Sequence, residues 1–239
     1  MSYENFAYYY DSLMEQSFYD DYYNFINEHA SFDEVLELGC GTGEIAIRLA
    51  KDDKLVTATD LSSDMLEVTK QKAMYEDVTL FLQKVDMSDF STSHQVDLVL
   101  CLCDSLNYLL DENQVIQTFH NVYESLKDDG TFIFDSDSLY KMNVILNDYK
   151  EDQEDDEFCF HWHVKHLGDG YVHHHLYIED KIEKEVVKEE HYQKAYSVET
   201  YLRWLKEVGF HDISYYSDFD SYQEECERII FVCRKEVEL

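Results

Sequence analysis

Short apolar runs alternate along this chain with stretches in which apolar residues return every three or four positions. The first thirty residues are rich in rings: Phe6, Tyr8, Tyr9 and Tyr10, then Phe18, Tyr19, Tyr22, Tyr23, Phe25 and Ile26. The later group has the spacing of an amphipathic helix. Val35-Leu36-Glu37-Leu38 reads as a short buried strand, followed at once by Gly39-Cys40-Gly41-Thr42-Gly43. Ile45, Ala46, Leu49 and Ala50 then recur at helical spacing. Residues 55–59 form a second strand ending at Asp60, and Ser62 or Ser63 caps a helix carrying Met65, Leu66 and Val68. Residues 78–82 predict a third strand and 96–103 a central one. Asp111 caps a helix with Val115, Ile116, Phe119, Val122, Tyr123 and Leu126 on its apolar side. After a turn at Asp129-Gly130, residues 131–134 make a fifth strand. Repeated strand–helix alternation predicts an α/β fold. The expected architecture is a Rossmann-like seven-stranded, mostly parallel sheet with helices on both faces.

The alternation then breaks. Residues 148–157 hold seven acids in ten positions and read as a solvated loop. Phe158, Phe160, Trp162 and Val164 alternate with Cys159, His161, His163 and Lys165, and Val172, Leu176 and Ile178 resume the pattern after Gly168-Asp169-Gly170. That is a hairpin signature. Pairing Trp162 with Leu176 and Phe160 with Ile178 gathers the apolar residues on one face; it sets His163 opposite His175 and His161 opposite Tyr177. A further polar strand is expected over about 182–194. Residues 137–196 are therefore expected to be an antiparallel β cap inserted into a main domain of residues 1–136 and 197–239. Ser197 caps a last helix bearing Tyr201, Leu202, Leu205 and Val208, with Gly209 at its end. Residues 213–216 and 229–233 predict two closing strands.

Composition narrows the partners. With 45% hydrophobic residues over 239 positions, the chain has ample material for a packed core. Its formal charge of −33 repels phosphate backbones and anionic lipid, which disfavours nucleic acid as a partner. No run of about 18 apolar residues occurs, so no membrane span is expected. The N-terminus, Met1-Ser2-Tyr3-Glu4-Asn5, lacks the basic and apolar regions of a signal peptide. None of the six cysteines forms a Cys-x-x-Cys pair, and most lie in apolar runs. These features point to a cytoplasmic protein and argue against a zinc ribbon or redox motif; no metal is expected, and the expected state is a monomer or homodimer.

Glycine usage carries the strongest chemical signal. The chain has seven glycines and no proline, yet three glycines fall within residues 39–43, between a buried strand and a helix. Glycine there permits unusual backbone angles and close approach of a ligand, and the helix N-terminus offers unpaired N–H groups. The spacing is G-x-G-x-G; Glu44 occupies the third glycine position of the dinucleotide fingerprint. No Gly-Lys-Ser/Thr follows, which excludes a P-loop. Asp60, at the end of the second strand, is placed to accept hydrogen bonds from the two ribose hydroxyls of an adenosine. Acidic residues at this loop disfavour a pyrophosphate and tolerate a cationic sulfonium and amine.

With these residues assembled, residues 35–43 resemble motif I of class I S-adenosylmethionine-dependent methyltransferases. The resemblance continues through Thr59-Asp60-Leu61-Ser62-Ser63-Asp64-Met65-Leu66, similar to the family's ribose-binding segment, and Val85-Asp86-Met87, similar to its adenine-binding segment. Residues 96–108 and 126–135 resemble its strand-four and strand-five motifs, and the β insertion after strand five resembles a bacterial branch of small-molecule type. The resemblance implies S-adenosylmethionine as cofactor. Gly39, Cys40, Gly41 and Gly43 would hold its methionine part, with Glu37 near the amino group. Asp60, with Leu61 and Met65, would line the ribose side, Asp86 and Met87 the adenine, and Cys103, Asp104 and Tyr108 the methyl end.

Methyl transfer from a sulfonium is an in-line displacement, so positioning and desolvation supply much of the catalysis. A base is needed only when the acceptor must lose a proton. The candidate catalytic residues are Tyr10, in a segment resembling family arms that fold over the cofactor, Asp104, Tyr108 and His163. The expected reaction is methyl transfer to a small-molecule N or O acceptor. An RNA (tRNA) methyltransferase is the second enzyme reading, disfavoured by charge and by the lack of an Asn/Asp-Pro-Pro-Tyr/Phe motif. A non-catalytic protein that binds or senses S-adenosylmethionine would keep the same cofactor motifs.

Overall fold

A computed structural model describes Ala7 and residues 16–236. Its main sheet has seven strands in the order β10-β11-β5-β4-β1-β2-β3. These are β1 (Glu34–Leu38), β2 (Leu55–Asp60), β3 (Phe81–Lys84), β4 (Val96–Cys101), β5 (Leu126–Asp137), β10 (Asp212–Ser217) and β11 (Arg228–Arg234). Strands β3, β2, β1, β4 and β5 run parallel, and β11 joins β5 antiparallel and pairs with β10. At the centre of the sheet, residues 98–101 of β4 and 132–134 of β5 are unbroken apolar runs because both faces are covered.

Helices α1 (Gln16–His29) and α2 (Glu44–Lys51) cover one face, where Tyr22, Phe25, Ile26, Ile45 and Leu49 pack on Val35, Val56, Leu98 and Leu100. Helices α4 (Glu112–Ser125) and α5 (Val198–Val208) cover the other; Val115, Phe119, Val122, Tyr201 and Leu205 meet Leu36, Val99, Phe132 and Phe231. Helix α3 (Ser63–Tyr75) follows β2. The predicted caps form: Ser62, Asp111 and Ser197 accept from the backbone N–H groups of Met65, Asn113 and Thr200. Each satisfies a donor that a helix start otherwise leaves unpaired.

A second, four-stranded antiparallel sheet is built from β6 (Lys150–Glu154), β7 (Phe158–Gly168), β8 (Tyr171–Asp180) and β9 (Glu185–Lys194). The register pairs Trp162 with Leu176, Phe160 with Ile178, His163 with His175 and His161 with Tyr177, as the hydrophobic alternation requires. Its apolar face buries Phe160, Ile178 and Val187 in one cluster, against Met65 of α3. A second cluster joins Val164 and Val172 to Met142 and Leu146, around a π-helical turn at Lys141–Ile145.

Four local expectations are corrected. Lys150–Glu154 is a strand, not a loop: it is the sheet edge, where acidic side chains stay solvated while the backbone pairs with β7. The third strand begins at Phe81, because the Val78 N–H is used to close α3 on the Ala73 carbonyl. The central strand stops at Cys101; Cys103 and Asp104 have φ of 54° and 51°, which turns the chain out of the sheet. The fifth strand is longer than expected, from Leu126 to Asp137, and carries the register shift opposite Val96 and Leu98.

Candidate active site

The glycine loop joins β1 to α2, and its backbone conformation requires glycine. Gly39 has φ of 67°, and a Cβ there would stand 2.6 Å from Ser105 Oγ. Gly43, at the N-terminus of α2, has φ of 80°, and a Cβ would stand 2.4 Å from Thr69 Cγ2 of α3. The loop thus fits between the turn after β4 on one side and α3 on the other. Asp60 fixes its centre: one carboxylate oxygen accepts from the Gly41 N–H at 2.9 Å, the other from the Ser62 N–H at 2.8 Å. Burial raises the Asp60 pKa, against the N–H groups that favour its anion.

Glu37 lies one strand inward and is 3% exposed. Burial, then the nearby Asp60 charge, push its carboxyl up to about 8, and the Ala46 N–H only partly offsets them. Its Oε2 is buried without a hydrogen-bond partner. A buried acid with an idle oxygen facing a glycine loop fits a site for an ammonium group.

The loop opens on a cavity of about 740 Å³, within the ordinary range for small-ligand sites, roughly 300–1,000 Å³. Glu37, Gly39, Cys40, Gly41, Asp60, Leu61, Met65, Asp86, Met87, Cys103, Asp104 and Tyr108 all line it. Leu61 and Tyr108 are exposed apolar surface there, 63% and 48%. Asp86 holds the turn after β3 by accepting from the Ser88 N–H and hydroxyl. Gly43 is not in the wall; it packs on Thr69. Tyr10 lies outside the described residues. His163 is not brought to the cavity: strand alternation turns it to the outer face of β7, half exposed and 3.8 Å from Asp148.

Behind the far end of the cavity, Asp104 is held by two residues that no motif marked, Arg228 and Gln193. Arg228, at the start of β11, is buried over the Phe18 ring and pairs with Asp135 and, at 3.1 Å, with Asp104. Burial alone would raise the Asp104 pKa, but Arg228 and Lys141 hold it below the usual carboxylate range. Asp104 is therefore an ionised, oriented carboxylate. Gln193 of β9 donates to its other oxygen at 2.8 Å. Asn107 is fully buried: its amide donates to the Ser136 hydroxyl at 2.9 Å and the Lys194 carbonyl at 2.8 Å, and accepts from the Asp137 N–H at 2.9 Å. One side chain thus ties the turn after β4 to the end of β5 and the end of the second sheet.

Two histidines of the second sheet face inward. His191 lines the cavity with its ring edge-on to Tyr108 at 5.8 Å; burial lowers its pKa against the pull of Asp104. His174 is pushed down to about 4 by burial, and its Nδ1 accepts from the Trp162 indole at 3.0 Å. Both rings are thus held neutral at pH 7. A polar residue recurring on the buried face of β9, as in Glu189, His191 and Gln193, was the available sequence signal.

This fold and cavity define a class I, Rossmann-like methyltransferase dependent on S-adenosylmethionine, and comparison with known proteins agrees. Residues 35–130 match the family model described as a methyltransferase domain. A Geobacillus sp. (strain WCH70) protein named as a methyltransferase is 38% identical, over 98% of this chain and 100% of its own. YqeM of Bacillus subtilis (strain 168), also named as a methyltransferase, is 35% identical over 98% of both chains. Among solved structures, an S-adenosylmethionine-dependent methyltransferase from Clostridium acetobutylicum ATCC 824 superposes with a TM-score of 0.88 at 27% identity, covering 98% of this chain and 99% of that one. The chain belongs to this methyltransferase family and is an enzyme whose cofactor is S-adenosylmethionine. Among the described residues, no helix is long and apolar enough to cross a membrane.

Proposed function

We propose that the enzyme methylates a nitrogen or oxygen of a small molecule held between the glycine loop and the inner face of the second sheet. The observation that carries this reading is the continuity of the cavity. One wall holds Glu37, Gly41 and Asp60, and the same cavity reaches Asp104, Tyr108 and His191 at the other end. The bound cofactor supplies an electrophilic methyl group on a sulfonium. In this reading Glu37 receives the cofactor's ammonium, Asp60 its ribose, and Asp86 with Met87 its adenine. Residues 137–196 are the acceptor-binding cap, and Asn107 keeps it in register with the main sheet.

Asp104, fixed by Arg228 and Gln193, orients a hydroxyl or amine of the acceptor. Neutral His191 takes the proton where one must leave. The acceptor end offers polar groups, Asp104, Tyr108 and His191, on a strongly acidic chain, which suits a compact polar molecule better than a strand of nucleic acid. A relative alike over 88% of this chain, at 27% identity, is named as a glycine/sarcosine N-methyltransferase from Aphanothece halophytica; that supports an amine among the first acceptors to try. Six free cysteines and the lack of a spanning helix among the described residues support a cytoplasmic setting.

The test is calorimetric titration of the full chain with S-adenosylmethionine, its demethylated product and NAD, beside Asp60→Ala. Binding of the first two and not NAD is expected, weakened about a hundredfold in the variant, which loses a charge-assisted hydrogen bond to the loop at Gly41 and another to the Ser62 N–H. A screen of small amines and alcohols with labelled methyl donor then reads transfer. Tight cofactor binding with no turnover on any small acceptor would overturn the acceptor class and leave the cofactor site standing.

A further inference from the structure

We propose that the outer face of the second sheet carries a binding site for a divalent transition metal of the zinc class, held by His173, His175 and Glu190. The site is separate from the cavity and does not depend on the acceptor reading.

His173 and His175 are two residues apart on β8, so both side chains leave the same face. Glu190 of β9 is the cross-strand partner of His175. His173 Nε2 lies 3.3 Å from one Glu190 carboxylate oxygen, and His175 Nδ1 lies 3.7 Å from the other. One ligand atom from each of the three residues falls within a common span of 4.8 Å. Zinc–ligand bonds of about 2.0–2.2 Å in a tetrahedral shell put neighbouring ligand atoms roughly 3.3–3.5 Å apart. The three groups therefore need to close by at most about 1.4 Å to reach that spacing.

The contact between His173 and Glu190 is the second observation. His173 Nε2 is buried and makes no hydrogen bond, although the carboxylate is in range. A buried imidazole nitrogen without a hydrogen bond, beside a carboxylate, is a donor atom open to an ion. The His173 ring is also held in place: Tyr192 stacks on it at 3.9 Å between centroids and 11° between planes, and the His175 ring lies 3.8 Å away.

Donor chemistry selects the ion. Two imidazoles and one carboxylate suit zinc and its neighbours in the first transition row; calcium and magnesium prefer oxygen ligands throughout. A protein of charge −33 concentrates divalent cations at its surface. His175 is half exposed and Glu190 largely so, which leaves an entry path and a position for water. A metal here would clamp β8 to β9, directly behind the strand positions that present His174 and His191 inward.

The test uses the full chain, freed of metal with a chelator and titrated with zinc in competition with a chromophoric chelator. Cobalt is titrated in parallel and read by its visible absorption. One equivalent bound is expected, with cobalt bands of an imidazole–carboxylate site. His175→Ala and Glu190→Gln, both at surface positions, are each expected to weaken binding by about 10–100-fold. His211→Ala, an exposed histidine between α5 and β10, serves as the control and leaves it unchanged. Circular dichroism confirms that the variants fold. Absence of stoichiometric binding by the folded parent chain, or binding that survives both ligand substitutions, would overturn the proposal.

Discussion

At the cofactor end of the cavity, the bond that fixes the centre of the loop joins near neighbours in the chain: Gly41 and Asp60 are 19 residues apart. At the acceptor end the bonded partners are strangers. Asp104 is bonded to Gln193 and Arg228, 89 and 124 residues away, and Asn107 reaches Lys194 across 87. The cofactor end is mostly backbone in a special conformation. The acceptor end is mostly buried charge held by long-range side-chain pairs. The first construction is set by glycine spacing and a strand end; the second exists only once β5, β9 and β11 have come together. A local lesion should therefore damage the first end alone, whereas a lesion at the second should be felt by the whole molecule.

The sharpest way to break this contrast is Arg228→Met. It leaves Asp135 and Asp137 buried, and Asp104 half-buried at the cavity wall, around a missing counter-charge, since Arg228 approaches all three. Removing one partner of a buried ionic cluster costs about 3–5 kcal/mol, because the remaining charge is stranded. Urea unfolding should register that loss, and adding Asp135→Asn should recover part of it by removing one stranded charge. An Arg228→Met chain as stable as the parent would show that the network is not a buried charge cluster.

At the other end, Gly39→Ala should cost less. Placing alanine at φ of 67° costs about 1–2 kcal/mol, and its Cβ would also press on Ser105 Oγ at 2.6 Å. The loss should appear chiefly as weaker cofactor binding, since the strain falls on the loop that lines the cavity. Calorimetry against a thermal melt separates the two. A large drop in melting temperature with unchanged affinity would mean that the loop's shape serves packing alone.

The same contrast explains how much was legible in the sequence. The β1 loop, Asp60 and the cap residues Ser62, Asp111 and Ser197 could be read because each rests on local chemistry: strand, turn, glycine, cap. The β7–β8 register was legible too, since one face is apolar and a slip by one residue would expose it. Strand β6 was not, because an edge strand needs no apolar pattern to pair through its backbone. His163 illustrates the reverse error. The alternation that set it opposite His175 also placed it on the outer face, and its inward neighbours, Trp162 and Val164, hold the positions that meet the core. Arg228 falls just outside the strand predicted over 229–233; only its antiparallel pairing with Asp137 reveals the acid cluster beneath it.

Glu37 offers the finest measurement. Its carboxyl is pushed up to about 8, chiefly by burial. A raised carboxyl favours the protonated, folded chain: that stabilisation is fully present below the unfolded value of 4.5 and is lost as pH rises through about 8. In the cofactor-free enzyme at pH 6–7, Glu37 is therefore mostly neutral. An ammonium seated against it would pull the pKa down, so cofactor binding must expel a proton. By linkage, the dissociation constant should fall as pH rises from about 5.5 to 7, approaching tenfold per unit, about 1.4 kcal/mol. Glu37→Gln, which cannot release the proton, should flatten that slope while still binding weakly. Calorimetry in buffers of different ionisation enthalpy counts the proton directly. A parent enzyme whose affinity does not change across this range, or a Gln variant with the same slope, would place the ammonium elsewhere and leave Glu37 a buried acid whose neighbour is Asp60 alone.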